Sequence, residues 1–348
     1  LEAEPGLCER YAGLLPHLHD LYQLYQLLHQ ERVERGAIDF DTTETQFQFT
    51  DTGKIERILP LQRNDAHRLI EECMLAANVA SARLFERKRM PALYRIHEGP
   101  TEEKLNDLRQ FLGELGLRLH GGAKPTAKDY ATLLDAVRDR ADVHLIQTVL
   151  LRSMAQAMYS SDNIGHFGLA YPAYTHFTSP IRRYPDLLVH RAIKHLLAGG
   201  KAQNFAYSKP RLQSIAEHCS GSERRADEAT RDAESWLKCE YMQDKLGEEF
   251  DGIITSVNSF GIFVELQGIY VDGLVHITAL DNDYYHFDPI GHRLTGERTG
   301  QVYRLGDPVR VKVAAVNLDE RKIDFLLAGQ SEGGPRKRRR GKGRKERR

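Results

Sequence analysis

The groups best suited to act on a phosphate lie in one run, His166 to Arg191, which reads H-F-G-L-A-Y-P-A-Y-T-H-F-T-S-P-I-R-R-Y-P-D-L-L-V-H-R. Thr178 and Ser179 can cap a helix with their side-chain oxygens, and Pro180 suits a first helical position. Arg182 and Arg183 follow one turn later. Backbone N–H groups at a helix start, with two guanidinium groups beside them, favour a bound phosphate. The competing reading pairs both arginines with acids such as Asp186 on a solvated face. Residue type alone favours that reading; the cap beside the arginines tilts the balance towards phosphate.

These side chains need elements to position them. Leu14, Leu18, Leu21, Tyr25 and Leu28 recur every three or four positions, which predicts a helix over 7–35 that Gly36 ends. Alternation predicts strands at Ala37–Phe40 and Gln46–Phe49, a turn at Asp51-Thr52-Gly53 and a third strand near Lys54–Leu59. A helix over 64–89 should turn Leu69, Cys73, Ala77, Ala80 and Leu84 to one face and stop before Pro91. Thr101, followed by Glu102 and Glu103, starts another helix, and Thr126 with Asp129 starts a further one. Residues 143–159 read as a buried helix and 160–179 as irregular. A helix then runs from near Pro180 to Leu197, closed by Gly199-Gly200, and a long polar helix over 208–246 ends at Gly247.

The pattern changes at Glu249. Strands are predicted at Asp251–Val257, Gly261–Leu266, Gly273–Ile277, Pro308–Val316 and Lys322–Leu327, with Asp319-Glu320 turning the last hairpin. Five short strands in this span suit an OB-type barrel. The expected fold class is α+β: a mainly helical part over 1–247, a five-stranded β-barrel over 248–329, and a disordered Arg/Lys-rich tail over 330–348.

With 348 residues, 41% hydrophobic and 28% charged, the composition is that of a globular protein of about two domains. No apolar run approaches the ~18 residues that span a bilayer, so no membrane partner is expected. The start, Leu1 to Gly6, lacks a Met and the basic and apolar regions of a signal peptide, and reads as a cut end. Cys8, Cys73, Cys219 and Cys239 lie far apart without a Cys-x-x-Cys pair, which argues against structural zinc and for a reduced, cytoplasmic protein. The formal net charge is zero, yet residues 335–348 hold ten Lys/Arg and one acid, Glu346, for +9; the remaining 39 basic and 48 acidic residues give −9. An acidic body with a nucleic-acid-seeking tail is implied.

The 166–191 run resembles the signature of the RNB catalytic domain shared by RNase II and RNase R, and is nearer to that of RNase R. Residues 70–80 (I-E-E-C-M-L-A-A-N-V-A), residues 93–100 (L-Y-R-I-H-E-G-P) and residues 223–232 (E-R-R-A-D-E-A-T-R-D) leading to Trp236 fit the same domain. The resemblance implies the C-terminal portion of an RNB domain, followed by an S1 barrel. It implies a processive 3′→5′ exoribonuclease acting on single-stranded RNA, including the 3′ overhangs of structured RNA, and releasing nucleoside 5′-monophosphates. It also implies Mg²⁺, which activates water and stabilises the leaving oxygen. Arg182 matches the family's phosphate-gripping catalytic arginine, which neutralises charge on the scissile phosphate. Phe40 matches a ring that stacks on bases near the 3′ end, and Glu71 a carboxylate beside the terminal ribose; Arg183 is taken as a further RNA contact. Without the resemblance, Phe40 is as readily a core residue and Glu71 an exposed helix carboxylate.

Two departures limit the transfer. Thr230 stands where RNase II has a glutamate, so that glutamate's role is not assigned. The family's D-x-x-D-x-D-D-type aspartate cluster is absent: Asp39, Asp41 and Asp51 are too scattered, and Asp135, Asp139 and Asp142 look like a helix surface. No residue is therefore assigned to metal; the ligands are expected outside this chain, which alone has no evident means of activating water. The alternative is a non-catalytic RNA-binding or tethering module.

Residues 248–328 resemble an S1 RNA-binding domain through Gly252–Leu266 and Gly273–Ile277. That resemblance puts Phe260, Phe263 and His276 on one exposed face, where rings stack on bases for about 1–3 kcal/mol each. Arg310 and Lys312 would add phosphate contacts from a neighbouring strand. Against this stand a core role for Phe263 and an ordinary surface role for His276. The tail should follow phosphates without base preference and with steep salt dependence. Ribosome-associated or quality-control factors are its other candidate partners, and a monomer suffices.

Overall fold

The structure is a computed structural model that describes residues 5–40, 44–61, 63–140, 142–280 and 283–328. The basic tail lies outside the described residues. Two helices, α1 (Pro5–Arg10) and α2 (Leu15–Arg35), replace the single helix expected over 7–35. Pro16 sits in the first turn of α2, where its missing N–H is tolerated, but it cannot continue a helix arriving from upstream. Gly36 closes α2 with φ 76°, and a Cβ there would meet Lys128 Cβ at 2.6 Å, so both backbone and packing call for glycine. Residues 37–40 do not form the expected strand. They are tied down by Ile38 N–H, which donates to Gly168 O (2.8 Å).

The strands β1 (Thr45–Phe49) and β2 (Ile55–Pro60) pair antiparallel. The next helix, α3 (Asp65–Lys88), buries Glu72, Leu75, Asn78, Val79, Ala82 and Phe85. The expected stripe of Leu69, Cys73, Ala77, Ala80 and Leu84 is half-buried or exposed instead. The reason is polar: Glu72 bonds to Arg32 and Asn78 to Tyr174, so the face that turns inward is one that hydropathy discounts.

A short strand, β3 (Tyr94–Ile96), follows. Helix α4 (Glu102–Glu114) starts where Thr101 Oγ1 accepts from Lys104 N–H, and α5 (Ala127–Ala136) where Thr126 N–H and Oγ1 both donate to Asp129. Helix α6 (Val143–Ser153) is shorter than expected, because β4 (Met158–Ser160) takes the rest of the segment to pair with β3. Helix α7 spans Tyr184–Leu197. Helix α8 (Lys209–Gln243) buries Leu212, Ala216 and Ser220 near one end and Cys239 and Met242 near the other.

The barrel is built from β5 (Glu249–Asn258), β6 (Gly261–Leu266), β7 (Asp272–His276) and, after an insert, β11 (Pro308–Asn317) and β12 (Lys322–Leu327). It closes in the order β11-β12-β7-β6-β5. Closure removes the unpaired edges that an open sheet would leave. The insert, which the sequence reading did not foresee, is a three-stranded sheet of β8 (Tyr285–Asp288), β9 (Arg293–Gly296) and β10 (Val302–Arg304). One apolar core runs from Phe111, Tyr130 and Ile146 of the helical part into Ile254, Ile262 and Phe325 of the barrel.

Candidate functional site

Residues 160–183 are mostly irregular, so their backbone groups must find partners individually. A buried network of rings supplies them. His97 Nδ1 accepts from Gly168 N–H (3.0 Å) while Nε2 lies 2.8 Å from Ala155 O, which selects one neutral tautomer. His166 packs against His97 (centroids 4.9 Å apart) and Tyr174 (5.2 Å), and Tyr174 against His176 (5.7 Å). Burial, reinforced by His97 and Arg95, lowers the pKa of His166 to about 3; burial, with Arg183 and Arg95, lowers that of His176 to about 2. These histidines are neutral packing groups at physiological pH rather than proton carriers. Asn78, 3% exposed, donates to Tyr174 Oη (2.9 Å) and accepts from Phe177 N–H (2.9 Å). His190 stacks on Phe177 at 4.3 Å and bonds its carbonyl.

The network fixes the run that leads to the two arginines. Ser179 O accepts from Arg182 N–H (3.3 Å) and Arg183 N–H (3.0 Å), forming a turn, and α7 begins only at Tyr184 with Pro185 in its first turn. Neither Thr178 nor Ser179 caps α7, so the helix start expected at Pro180 moves downstream to the next proline. Asp186, wholly buried, accepts from Ser179 N–H (2.8 Å) and Arg183 Nη2 (2.7 Å) through one oxygen. Arg183 is thereby committed to Asp186. Arg182 is exposed, beside the fully exposed Ile181, and its guanidinium makes no hydrogen bond or ion pair among the described residues. The competing sequence reading thus holds for one arginine and not for the other.

Arg32 joins Glu71 to Asp39, the residue before Phe40. Its Nη1 donates to Glu71 (3.0 Å) and Glu72 (2.9 Å), and Nη2 lies 3.6 Å from Asp39, next to Phe40. Burial opposes the guanidinium charge, but the hydrogen bonds to Glu72 and Glu71 and the charge of Asp39 outweigh it and raise its pKa. Phe40 is half-buried against the main core. Each carboxylate around Arg32 turns one oxygen to that guanidinium. Among the described residues, no group of three or more His, Cys, Asp or Glu could hold a metal ion, so these residues do not fit the implied Mg²⁺. Asp135 and Asp142 pair with Arg138 and Arg140.

On the barrel, Ile262 and Val264 fill the interior, so Phe263 between them points outward. Phe260 is 46% exposed and meets Phe263 edge-on, 6.1 Å between centroids. His276 is exposed and lies opposite Gly261 in the β6–β7 register, while Ile277 N–H donates to Phe260 O (2.8 Å). Gly261 permits this approach: a Cβ there would sit 2.3 Å from Val275 O. The three predicted stacking residues therefore gather at one end of the barrel. Arg310 and Lys312 do not join them. Arg310 pairs with Glu249 (3.1 Å) and Asp251 (3.2 Å), and Lys312 lies opposite Glu249. Phe263 lies opposite Ser256 on β5 and Arg310 opposite Asp251, a separation of about 16 Å along the strand. Asn78, Tyr174 and Arg32 were not singled out from the sequence. The only signal for Asn78 was a polar residue inside an otherwise apolar run.

The profile of the RNB domain matches residues 6–199, more than half of the chain, and that of the S1 RNA binding domain matches residues 243–327. This chain belongs to the RNB family. The RNB match covers α1 to α7, including the Arg182 turn, and the S1 match covers the barrel with its insert. Ribonuclease R of Vibrio cholerae is 57% identical to this RNB-family chain over 340 residues, 95% of the chain and 41% of that relative. Apo RNase R of Mycoplasma genitalium superposes with a TM-score of 0.85 at 28% identity, over 90% of this chain and 50% of that one. The same M. genitalium protein solved with ribose-methylated single-stranded RNA gives 0.84, at the same identity and coverage. The RNB-family chain thus spans about two fifths of the Vibrio relative's length.

Proposed function

We propose that this chain is the part of an RNase R-like, processive 3′→5′ exoribonuclease that holds single-stranded RNA and grips its scissile phosphate, in the release of nucleoside 5′-monophosphates. The observation that carries this reading is Arg182, an exposed guanidinium without an ion pair among the described residues, carried by a turn that the buried Asp186 anchors. An unpaired cation carried on a backbone that is fixed beforehand is suited to charge that develops on a phosphate. The M. genitalium relative solved with single-stranded RNA supports RNA as the partner. In this reading Phe260, Phe263 and His276 stack on the incoming strand, Phe40 on a base near the 3′ end, and Glu71 accepts from the terminal ribose. The 3′ overhang of a structured RNA enters the same way.

The domain limits proposed are 1–247 for the catalytic portion, 248–329 for the S1 barrel and 330–348 for the tail, which adds phosphate contacts. The Mg²⁺ ligands are proposed to lie outside this chain, and no step is derived through the metal. Leu14 before α2, Leu18 and Leu21 on α2 and Ile70 on α3, each at least 40% exposed, support the view that further protein covers them. A monomer working in the cytoplasm belongs to the same proposal. The second reading, a tethering module without catalysis, draws on the lack of a carboxylate cluster among the described residues.

The test is incubation of the chain with Mg²⁺ and a 5′-labelled single-stranded RNA. Binding without shortening, and stepwise 3′ shortening once the remainder of an RNase R-like protein is added, is the expected result. Shortening by the chain alone overturns the placement of the ligands elsewhere. No shortening even in the reconstituted mixture favours the tether.

A further inference from the structure

Arg32 lies one turn from the end of α2, and its side chain is 11% exposed. Its three carboxylate partners differ in exposure: 5% for Glu72, 38% for Glu71 and 74% for Asp39. Neutralising one buried cation takes one carboxylate, and Glu72 supplies it. Glu71 and Asp39 exceed that need. They reach the surface, and they come from separate parts of the chain, one from α3 and one from the segment that ends in Phe40. Two like charges drawn to one guanidinium repel each other, and the cation they share offsets that repulsion. A guanidinium suits the task because its planar fork serves several acceptors in set directions, which a single ammonium does not.

We propose that Arg32 is a positioning residue that yokes Glu71 to residues 37–40, fixing the spacing between the carboxylate for the terminal ribose and the ring for the base beside it. The proposal rests on the function read above. It gives Arg32 a role at the RNA end that it never touches.

The test measures fluorescence anisotropy of the full chain, in EDTA, with short oligoribonucleotides that end in ribose or in 3′-deoxyribose. The unsubstituted chain should favour the ribose end about tenfold, the scale of one charge-assisted hydrogen bond. Glu71→Ala should bring the ratio near one. Arg32→Met should do the same, and adding it to Glu71→Ala should change the ratio no further. Arg32→Met leaves Glu72 buried without its partner, so Arg32→Met with Glu72→Met, which makes the pair apolar, is the companion that preserves the fold. Arg32→Lys should recover only part of the preference. A merely structural arginine would shift the melting temperature and leave the ratio alone. If Glu71→Ala keeps the preference, or the unsubstituted chain has none, the ribose reading of Glu71 fails and the yoke with it. If Glu71→Ala loses the preference while both Arg32 variants keep it, the ribose reading stands and the yoke is overturned.

Discussion

Around Arg182 the protein takes polar groups out of water and bonds most of them to one another, with Arg183 Nε and Asp186 Oδ2 left buried and unbonded, while Arg182 itself stays outside. On the barrel it does the reverse. Rings stand in water at one end, while the charges of β5 and β11 pair off at the other. On the proposed reading, the difference follows from what each region has to do. A cation that meets charge developing on one phosphate works best from a backbone fixed beforehand, and the buried Asp186, Asn78 and histidine network fixes that backbone. Stacking tolerates any base and some sliding, so two phenylalanines and a histidine held by a glycine turn are enough.

Four expected outcomes would break or sharpen this contrast. Asp186→Ala removes the clamp and leaves Arg183 in a site only 20% exposed, which should cost about 3–5 kcal/mol in urea unfolding. An unchanged midpoint would mean that the turn holds without its carboxylate. Arg182→Ala should leave stability unchanged and slow hydrolysis in the reconstituted enzyme on the order of 100-fold or more with RNA affinity nearly intact. Full turnover would remove Arg182 from the chemistry. On the barrel, Phe260→Ala should weaken RNA binding by about 1–3 kcal/mol with little effect on unfolding, whereas Arg310→Ala should leave RNA affinity where it was. Equal losses from the two would return Arg310 to the RNA face. The last and smallest effect is pH-dependent. His166 and His176 have folded pKa values depressed to about 3 and 2, below the unfolded value of 6.5, so the unfolded chain binds more protons between these limits. Stability should be intact above pH 6.5 and fall below it, on the order of 1 kcal/mol per histidine by pH 5.5. Replacing either histidine by Gln should flatten that slope in urea titrations.

The same contrast explains which parts the sequence made legible. Gly261–Leu266 and Lys322–Leu327 were read to the residue, because a strand with one face in a core alternates cleanly. The β8–β10 insert escaped notice, since three- and four-residue strands between turns give alternation too little length to register. The buried face of α3 was misread because Glu72 and Asn78 are polar residues with internal partners, and periodicity counts only apolar ones. The start of α7 was read near Pro180, but the turn at Ser179 moves it on to Tyr184, beside the next proline. The site shows the limit most clearly. Arg182 and Arg183 are adjacent and identical in type, and only the fold gives one of them a buried acid.

Helix α8 leaves a further consequence. Helices normally come apart from their ends, where hydrogen bonds are fewest. In α8 both ends are packed, and residues 224–233 are exposed on every side. Amide exchange along it should therefore run backwards, slowest near Leu212 and Met242 and fastest around Ala229, and a protease should nick the helix at its waist while both halves stay bound.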